Sequence, residues 1–398
     1  MKDNEPKRAA RASSERLPRR DWILLPCVFL ATAILLAGGI ELAARAIFSE
    51  SETGIGRCMV LDDPTTGARG IPNTVCYEKN AEAPEIEFKF NSCGHRAGME
   101  CGPKPAGTYR IVMTGSSVAV GATVQQRDSF AALLPKALSE KTGRRVELYN
   151  ESMGWGFTHS VTLRFKDVLA AKPDLILWIL TPGDVERSSL VLPTPEDTGR
   201  WQSKSLAERS WLRVKEILGT QSGMAAISEV FGRTRTAMML RHFLYESQSL
   251  YGNAVLAKDD SDFGFLRDPM SKLWNERLQQ ADSDAATIEA QARNAGVPLV
   301  AAFVPHRAQA GMVYTGKWPT GIDPYALDDK LRAIVESHGG TYIDTLPEFR
   351  DIPNPEQYFF PVDGHPTPQG HAVLTRILAQ ELTSGAVPAL SVSSPHLQ

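Results

Sequence analysis

Apolar residues are distributed along this chain in three ways. From Trp22 to Ile40 they form a run without a charge, WILLPCVFLATAILLAGGI. From residue 47 to about 107 they are sparse among Cys, Pro and Gly. There, only Ile86–Phe90 (IEFKF) alternates with period two, which predicts a half-buried strand. From Tyr109 onward, short apolar blocks alternate with stretches whose apolar residues recur every three or four positions. The blocks Tyr109–Thr114, Val146–Tyr149, Leu175–Leu180, Pro298–Phe303 and Thr341–Ile343 predict five strands. Ser129–Lys141, Ser160–Ala171, Tyr325–His338 and Pro368–Leu382 predict helices around them. Strands separated by helices need crossovers, and therefore a parallel sheet with helices on both faces.

One interval breaks this rhythm. About 110 residues separate the third strand from the fourth, far more than a crossover needs. Leu206–Leu218 and Met224–Tyr251 have helical spacing. The stripe Met238, Met239, Leu240, Phe243 and Leu244 is expected to pack into a core rather than to hold a cofactor. The region of about 186–290 is thus expected to be a helical insertion at the sheet end where ligands bind. The chain divides into a basic tail (1–21), a membrane helix (22–46), a Cys-rich collar (47–107) and a main domain (108–398).

Charge sharpens the reading of the first segment. The chain carries a net charge of -3, and residues 1–21, with seven basic and four acidic side chains, carry +3, leaving about -6 for the rest. An acidic body lacks the basic footprint that nucleic acids require. The uncharged run, at about 1.5 Å per residue, nearly crosses a bilayer core and can extend through Leu42-Ala43-Ala44. Arg8, Arg11, Arg16, Arg19 and Arg20 precede it, which places the N-terminus in the cytoplasm and the body in the periplasm or outside the cell. A cleaved signal peptide is the alternative, because Ala44-Arg45-Ala46 has the form of a cleavage site. The length of the basic region and of the apolar run favours an uncleaved anchor.

Cys27 lies in the apolar run, and Cys58, Cys76, Cys93 and Cys101 fall within 44 residues of one another. Four thiols allow three pairings. Cys58–Cys76 and Cys93–Cys101 are favoured because each closes a short loop, and such bridges suit an oxidising compartment. A zinc site is the rival, with His95 nearby, but no CxxC pair supports it, so no metal is expected.

Two motifs carry chemistry. Gly115-Ser116-Ser117 follows the first strand of the parallel set, where a serine hydroxyl sits at a strand-to-helix turn. Asp363-Gly364-His365 precedes the last helix and supplies an imidazole with a carboxylate two residues away. Hydroxyl, imidazole and carboxylate are the parts of a covalent acyl-transfer site, which needs no cofactor. Separately, the first motif reads as a capped turn and the second as a surface turn. His371 is expected on the closing helix in a structural role.

Together, these motifs resemble the SGNH (GDSL-like) hydrolases over roughly Tyr109 to Leu382. The family's Gly-Asp-Ser-x-x-x-Gly block is matched by Gly115-Ser116-Ser117-Val118-Ala119-Val120-Gly121, with Ser116 in place of Asp. The glycine block is matched loosely by Asn150 to Gly156, with Gly154 the favoured position. The Asn-Asp block reads Gly183-Asp184, so the family's oxyanion-donating Asn is replaced by Gly183. Asp363 and His365 match the last block. The resemblance implies a flavodoxin-like three-layer αβα fold with a mostly parallel five-stranded sheet and a helical insertion. It also implies Ser117 as nucleophile, His365 as base, Asp363 as its orienting carboxylate, and the amides of Ser117 and Gly154 as oxyanion hole. Asn150 or Ser152 is a candidate extra donor.

Three functions are compatible with these residues. The first, favoured because it needs the fewest parts, is hydrolysis of short acyl esters, such as acetyl, on an exported or cell-surface molecule. The second is O-acyl transfer to a surface polysaccharide, with Trp155, Trp178 and Trp201 as candidate sugar-stacking residues. The third, motivated by Gly183, is a binding module without catalysis.

Overall fold

In the computed structural model the described residues are 20–50, 57–63, 67–154, 158–186 and 231–392. Most of the basic tail, Trp155, Gly156, Trp201, the stretch Leu206–Leu218 and the beginning of Met224–Tyr251 lie outside them. Trp22–Ile40 falls within a helix, α1 (Asp21–Ile47), long and apolar enough to cross a membrane. Two antiparallel hairpins follow, β1 (Met59–Asp63) with β2 (Gly67–Gly70), and β3 (Val75–Lys79) with β4 (Glu85–Lys89). Only the last of these four strands alternates clearly enough to be predicted from sequence. The others are short and owe their order to Cys58–Cys76 and Cys93–Cys101, which pair as expected, and to a small core around Ile86, Phe88 and Phe90.

The main sheet comprises β5 (Thr108–Thr114), β6 (Arg145–Asn150), β7 (Leu175–Leu180), β8 (Leu299–Phe303) and β9 (Thr341–Asp344). Its order is β6-β5-β7-β8-β9 and every pairing is parallel, the flavodoxin-like arrangement. Each strand lies within one residue of the apolar block that predicts it. Every residue of β5, β7 and β8 is buried, as a sheet covered on both faces demands.

Short helices α2 (Ser117–Val120) and α5 (Pro182–Glu186) follow β5 and β7 at the carboxyl edge. α3 (Phe130–Thr142) packs on one face of the sheet and α4 (Thr158–Ala170) on the other. The described part of the insertion holds α6 (Arg235–Tyr245), α7 (Gln248–Leu256) and α8 (Asp260–Phe263). Lys272–Asn294, helix α9, begins within the stretch of about 186–290 expected to be insertion and runs past its end as the crossover helix from β7 to β8. It buries Trp274, Leu278, Ala285 and Ile288 in the core that α4 shares. α10 (Arg307–Thr315), α11 (Ala326–Ser337) and α12 (Pro368–Glu381) complete the layers.

The apolar stripe of α6 departs from expectation. Met238 is buried, but Leu240, Phe243 and Leu244 are exposed. The helix turns Ala237 and Met238 inward, and Leu240, Phe243 and Leu244 lie roughly 200°, 140° and 240° around the helix axis from Met238, on its outer side.

Behind β6, Glu151 is wholly buried beside Arg164, which donates to the Glu151 carbonyl at 3.1 Å. Burial pushes the Glu151 carboxyl up from 4.5 to about 7, against the pull of Arg164. Between those two values the folded protein holds a proton that the unfolded chain releases. Stability therefore declines as pH rises through that window. Glu151→Gln mimics the protonated form. Its melting temperature is expected to match the parent's near pH 5 and to exceed it at pH 8, where the ionised carboxylate costs up to about 3 kcal/mol. A difference that does not change with pH would refute this.

Candidate active site

The carboxyl edge of the sheet gathers the residues singled out from sequence. Gly115 ends β5 with φ 153°, and a Cβ there would stand 2.8 Å from the Ile179 carbonyl, so only glycine lets the chain turn against β7. Ser117 then opens α2 with its amide at the helix start, where N–H groups lack helical partners. The loop after β6 is pinned alongside. Glu151 N–H donates to the Met113 carbonyl at 2.8 Å, and Met153 N–H to the Gly115 carbonyl at 3.1 Å. This brings Gly154 to the wall of the same cleft as Ser117.

The turn bearing Asp363 and His365 closes on itself through Phe360 N–H to the His365 carbonyl at 2.9 Å and Gly364 N–H to the Phe360 carbonyl at 3.0 Å. Gly364 has φ 82°, a conformation that favours glycine between the two functional side chains. His365 Nδ1 lies 2.6 Å from Asp363 Oδ1, and its Nε2 lies 2.7 Å from Ser117 Oγ. The carboxylate accepts from Nδ1–H, which leaves Nε2 to accept from the serine hydroxyl. Burial would raise the Asp363 carboxyl, but the charge and hydrogen bonds of His365 outweigh it and hold it below the ordinary range. The three residues, 248 apart in sequence at their ends, form one unbroken relay along a cleft of about 410 Å³.

Other expected residues serve the scaffold. Asn150 commits its side-chain amide to the Ala119 carbonyl at 3.0 Å and accepts from Ser152 N–H at 3.1 Å, joining α2 to the Gly154 loop. Asp184 is buried and accepts from Thr181 N–H and Oγ1 at 2.8 and 2.6 Å. Trp178 is buried within β7. His371 is buried against Phe130, accepts its N–H at 3.2 Å, and is pushed down to about 3 by burial. His95 is also buried, in contact with the Tyr149 ring at 5.9 Å.

Three residues of the site escape the sequence reading. Arg96 of the collar is buried, stacks on Phe88 and donates to the carbonyls of Val120, Gly121 and Val124, gripping the end of α2. Glu82, in the turn between β3 and β4, accepts from Asp363 N–H at 2.7 Å and Val362 N–H at 3.0 Å, and meets His242 Nδ1 of α6 at 2.5 Å. The collar thus holds both the turn of Ser117 and the turn of Asp363 and His365. The third, His306, follows β8 at the same edge, a position that the strand pattern marks. Its Nδ1 accepts from Ala308 N–H at 3.1 Å, and burial, aided by Arg307, pushes it down to about 3. It is a neutral imidazole whose Nε2–H faces the cleft and Tyr251. No local signal marks Arg96 or Glu82, because each acts through backbone groups far away in sequence.

No protein-family model matches the chain, and no curated protein matches it. Solved structures do. TesA aligns at 13% identity over 69% of this chain and 98% of its own, with a TM-score of 0.36. An acetylxylan esterase from Geobacillus stearothermophilus aligns at 11% over 69% and 94%, with a TM-score of 0.37. AlinE4, an SGNH-hydrolase family esterase, aligns at 15% over 72% and 98%, with a TM-score of 0.34. Every one of these TM-scores is below 0.5, so the case for catalysis rests on this chain's own residues.

Glu82→Ala is expected to slow the reaction of Ser117 with a fluorophosphonate about ten- to a hundredfold, because the Asp363 turn loses its brace. Intact-mass kinetics would measure this, and an unchanged rate would show that the turn holds without it.

Proposed function

We propose that this protein is a serine-dependent hydrolase of short acyl esters, anchored to a membrane by α1 with its main domain on the far side from the cytoplasm. The relay from Asp363 through His365 to Ser117 carries the reading. His365 Nε2 takes the proton from Ser117 Oγ as that oxygen bonds to the acyl carbon, and the carbonyl electron pair moves onto oxygen. The amides of Ser117 and Gly154 receive the oxyanion. Asp363 fixes the imidazole and stabilises its cation. Collapse breaks the bond to the alcohol, which leaves with the proton from His365. Water then attacks the acyl-enzyme by the same steps and regenerates Ser117. The paired cysteines of the collar fit an oxidising compartment.

Acyl transfer to a sugar hydroxyl is the second reading. It is favoured by the cleft wall, where Tyr245, Tyr251, Phe263 and Phe265 offer rings for an acceptor to rest on.

Treatment with a fluorophosphonate is expected to add one adduct to the parent protein and none to Ser117→Ala. Folded parent protein that takes no adduct would defeat both readings in favour of a binding module. Gly183 gives a second test. A Cβ there meets nothing nearer than Thr181 Oγ1 at 3.7 Å, so a side chain fits. Gly183→Asn is expected to raise the turnover of an acetyl ester, up to about a hundredfold for one added oxyanion donor. No gain would mean that the oxyanion is already fully served.

A further inference from the structure

The lower end of the insertion is joined to the membrane helix by a set of directed bonds. Glu41 is the first charged residue after Asp21 in α1, so it marks the end of the apolar run. Its carboxylate accepts from Thr236 N–H at 2.9 Å, Thr236 Oγ1 at 2.8 Å and Arg235 N–H at 3.2 Å, and so caps the start of α6. Arg235 Nη1 donates to Glu50 at 2.6 Å. Seven residues beyond Glu41, Phe48 meets the ring of His242 at a centroid distance of 5.2 Å. Residue 41 faces 236 and residue 48 faces 242, so α1 and α6 run side by side in the same direction. α6 therefore continues outward from the membrane.

The upper end is fastened to the catalytic turn. His242 meets Glu82, which holds the amides of Val362 and Asp363. Arg307, buried and stacked over Tyr251, donates to the carbonyls of Tyr245 in α6 and Pro361 in the turn, the latter at 2.7 Å. From Thr236 to His242 a helix rises about 9 Å, and to Tyr245, which lines the cleft, about 14 Å. The polar layer of a bilayer adds only about 5–8 Å beyond the hydrocarbon on each side. The cleft is thus held within about a nanometre of the headgroups by a stiff pair of helices.

We infer that the α1–α6 pair is a strut that fixes the active site at the membrane surface, and that the substrate is an ester carried on a membrane-embedded lipid. This rests on the serine-hydrolase reading and on retention of α1. A molecule anchored in the same bilayer meets the cleft at high local concentration, as any pair of tethered groups does when the tether length matches the span.

The full chain, reconstituted in phosphatidylcholine vesicles, tests this with two probes. One is a water-soluble fluorophosphonate, and the other is the same group on a dioleoyl lipid by tethers of graded length. Ser117 is expected to be labelled by the lipid-borne probe once its tether reaches about 15 Å, with no further gain from lengthening. Labelling that begins only beyond about 30 Å, or never begins while the soluble probe reacts, would overturn the strut. Failure of both probes would instead defeat the serine-hydrolase reading. Glu41→Gln is expected to slow short-tether labelling at least about fivefold while the soluble probe stays within about twofold. Equal slowing of both would signal damage to the fold, and Thr236→Val then repeats the test at the other side of the joint. If neither variant separates the two probes, the strut is refuted.

Discussion

The candidate active site depends on keeping two turns in register that the chain supplies 248 residues apart. The parallel sheet brings them to one edge, but a sheet edge alone does not set a hydrogen bond of 2.7 Å. That is done by charged side chains of the collar and of α10. Arg96 grips the end of α2, Glu82 holds the amides of Val362 and Asp363, and Arg307 joins the same turn to α6. Each is buried or nearly so and is satisfied largely by backbone groups. Taking such charges out of water is costly, and stripping one of its partners leaves that cost uncompensated. The geometry is consequently stiff: the turns cannot drift without exposing or orphaning a charge.

The same logic separates the histidines. His371 and His306 accept a backbone N–H on Nδ1, sit in apolar surroundings and stay neutral at any physiological pH. His365 has a carboxylate on Nδ1 and a hydroxyl on Nε2. Of the three, only that environment would stabilise an imidazolium cation, as proton transfer from a serine hydroxyl would require. The partner on Nδ1, a backbone N–H in two of these imidazoles and a carboxylate in the third, sets His365 apart from His371 and His306.

The sheet was legible in the sequence because its strands are buried on both faces, so each appears as a solid apolar block bounded by helical spacing. Ser117, Asp363 and His365 could be named because their motifs are local: a glycine turn after a strand, and a carboxylate two residues from an imidazole. The collar was not legible in the same way. Its short strands hardly alternate, and their order comes from two disulfides and three aromatic or aliphatic residues. Glu82 and Arg96 look like ordinary surface charges in sequence, because their partners are backbone groups of residues 121 and 363 that no pattern reveals. The exposed side of α6 misled for a related reason. A helix that packs along another helix buries a narrow face, and sequence spacing gives the stripe but not which neighbours will cover it.

The long gap between Ser117 and His365 also has a temporal side. A ribosome adds roughly 5–20 residues per second, so the 248 residues from Ser117 to His365 take on the order of 10 to 50 s to make. Throughout that interval Ser117 exists without the imidazole that will face its hydroxyl, and the Glu82 carboxylate exists without the amides it will hold. Until residue 365 has been made, the 2.7 Å contact between Ser117 Oγ and His365 Nε2 cannot form.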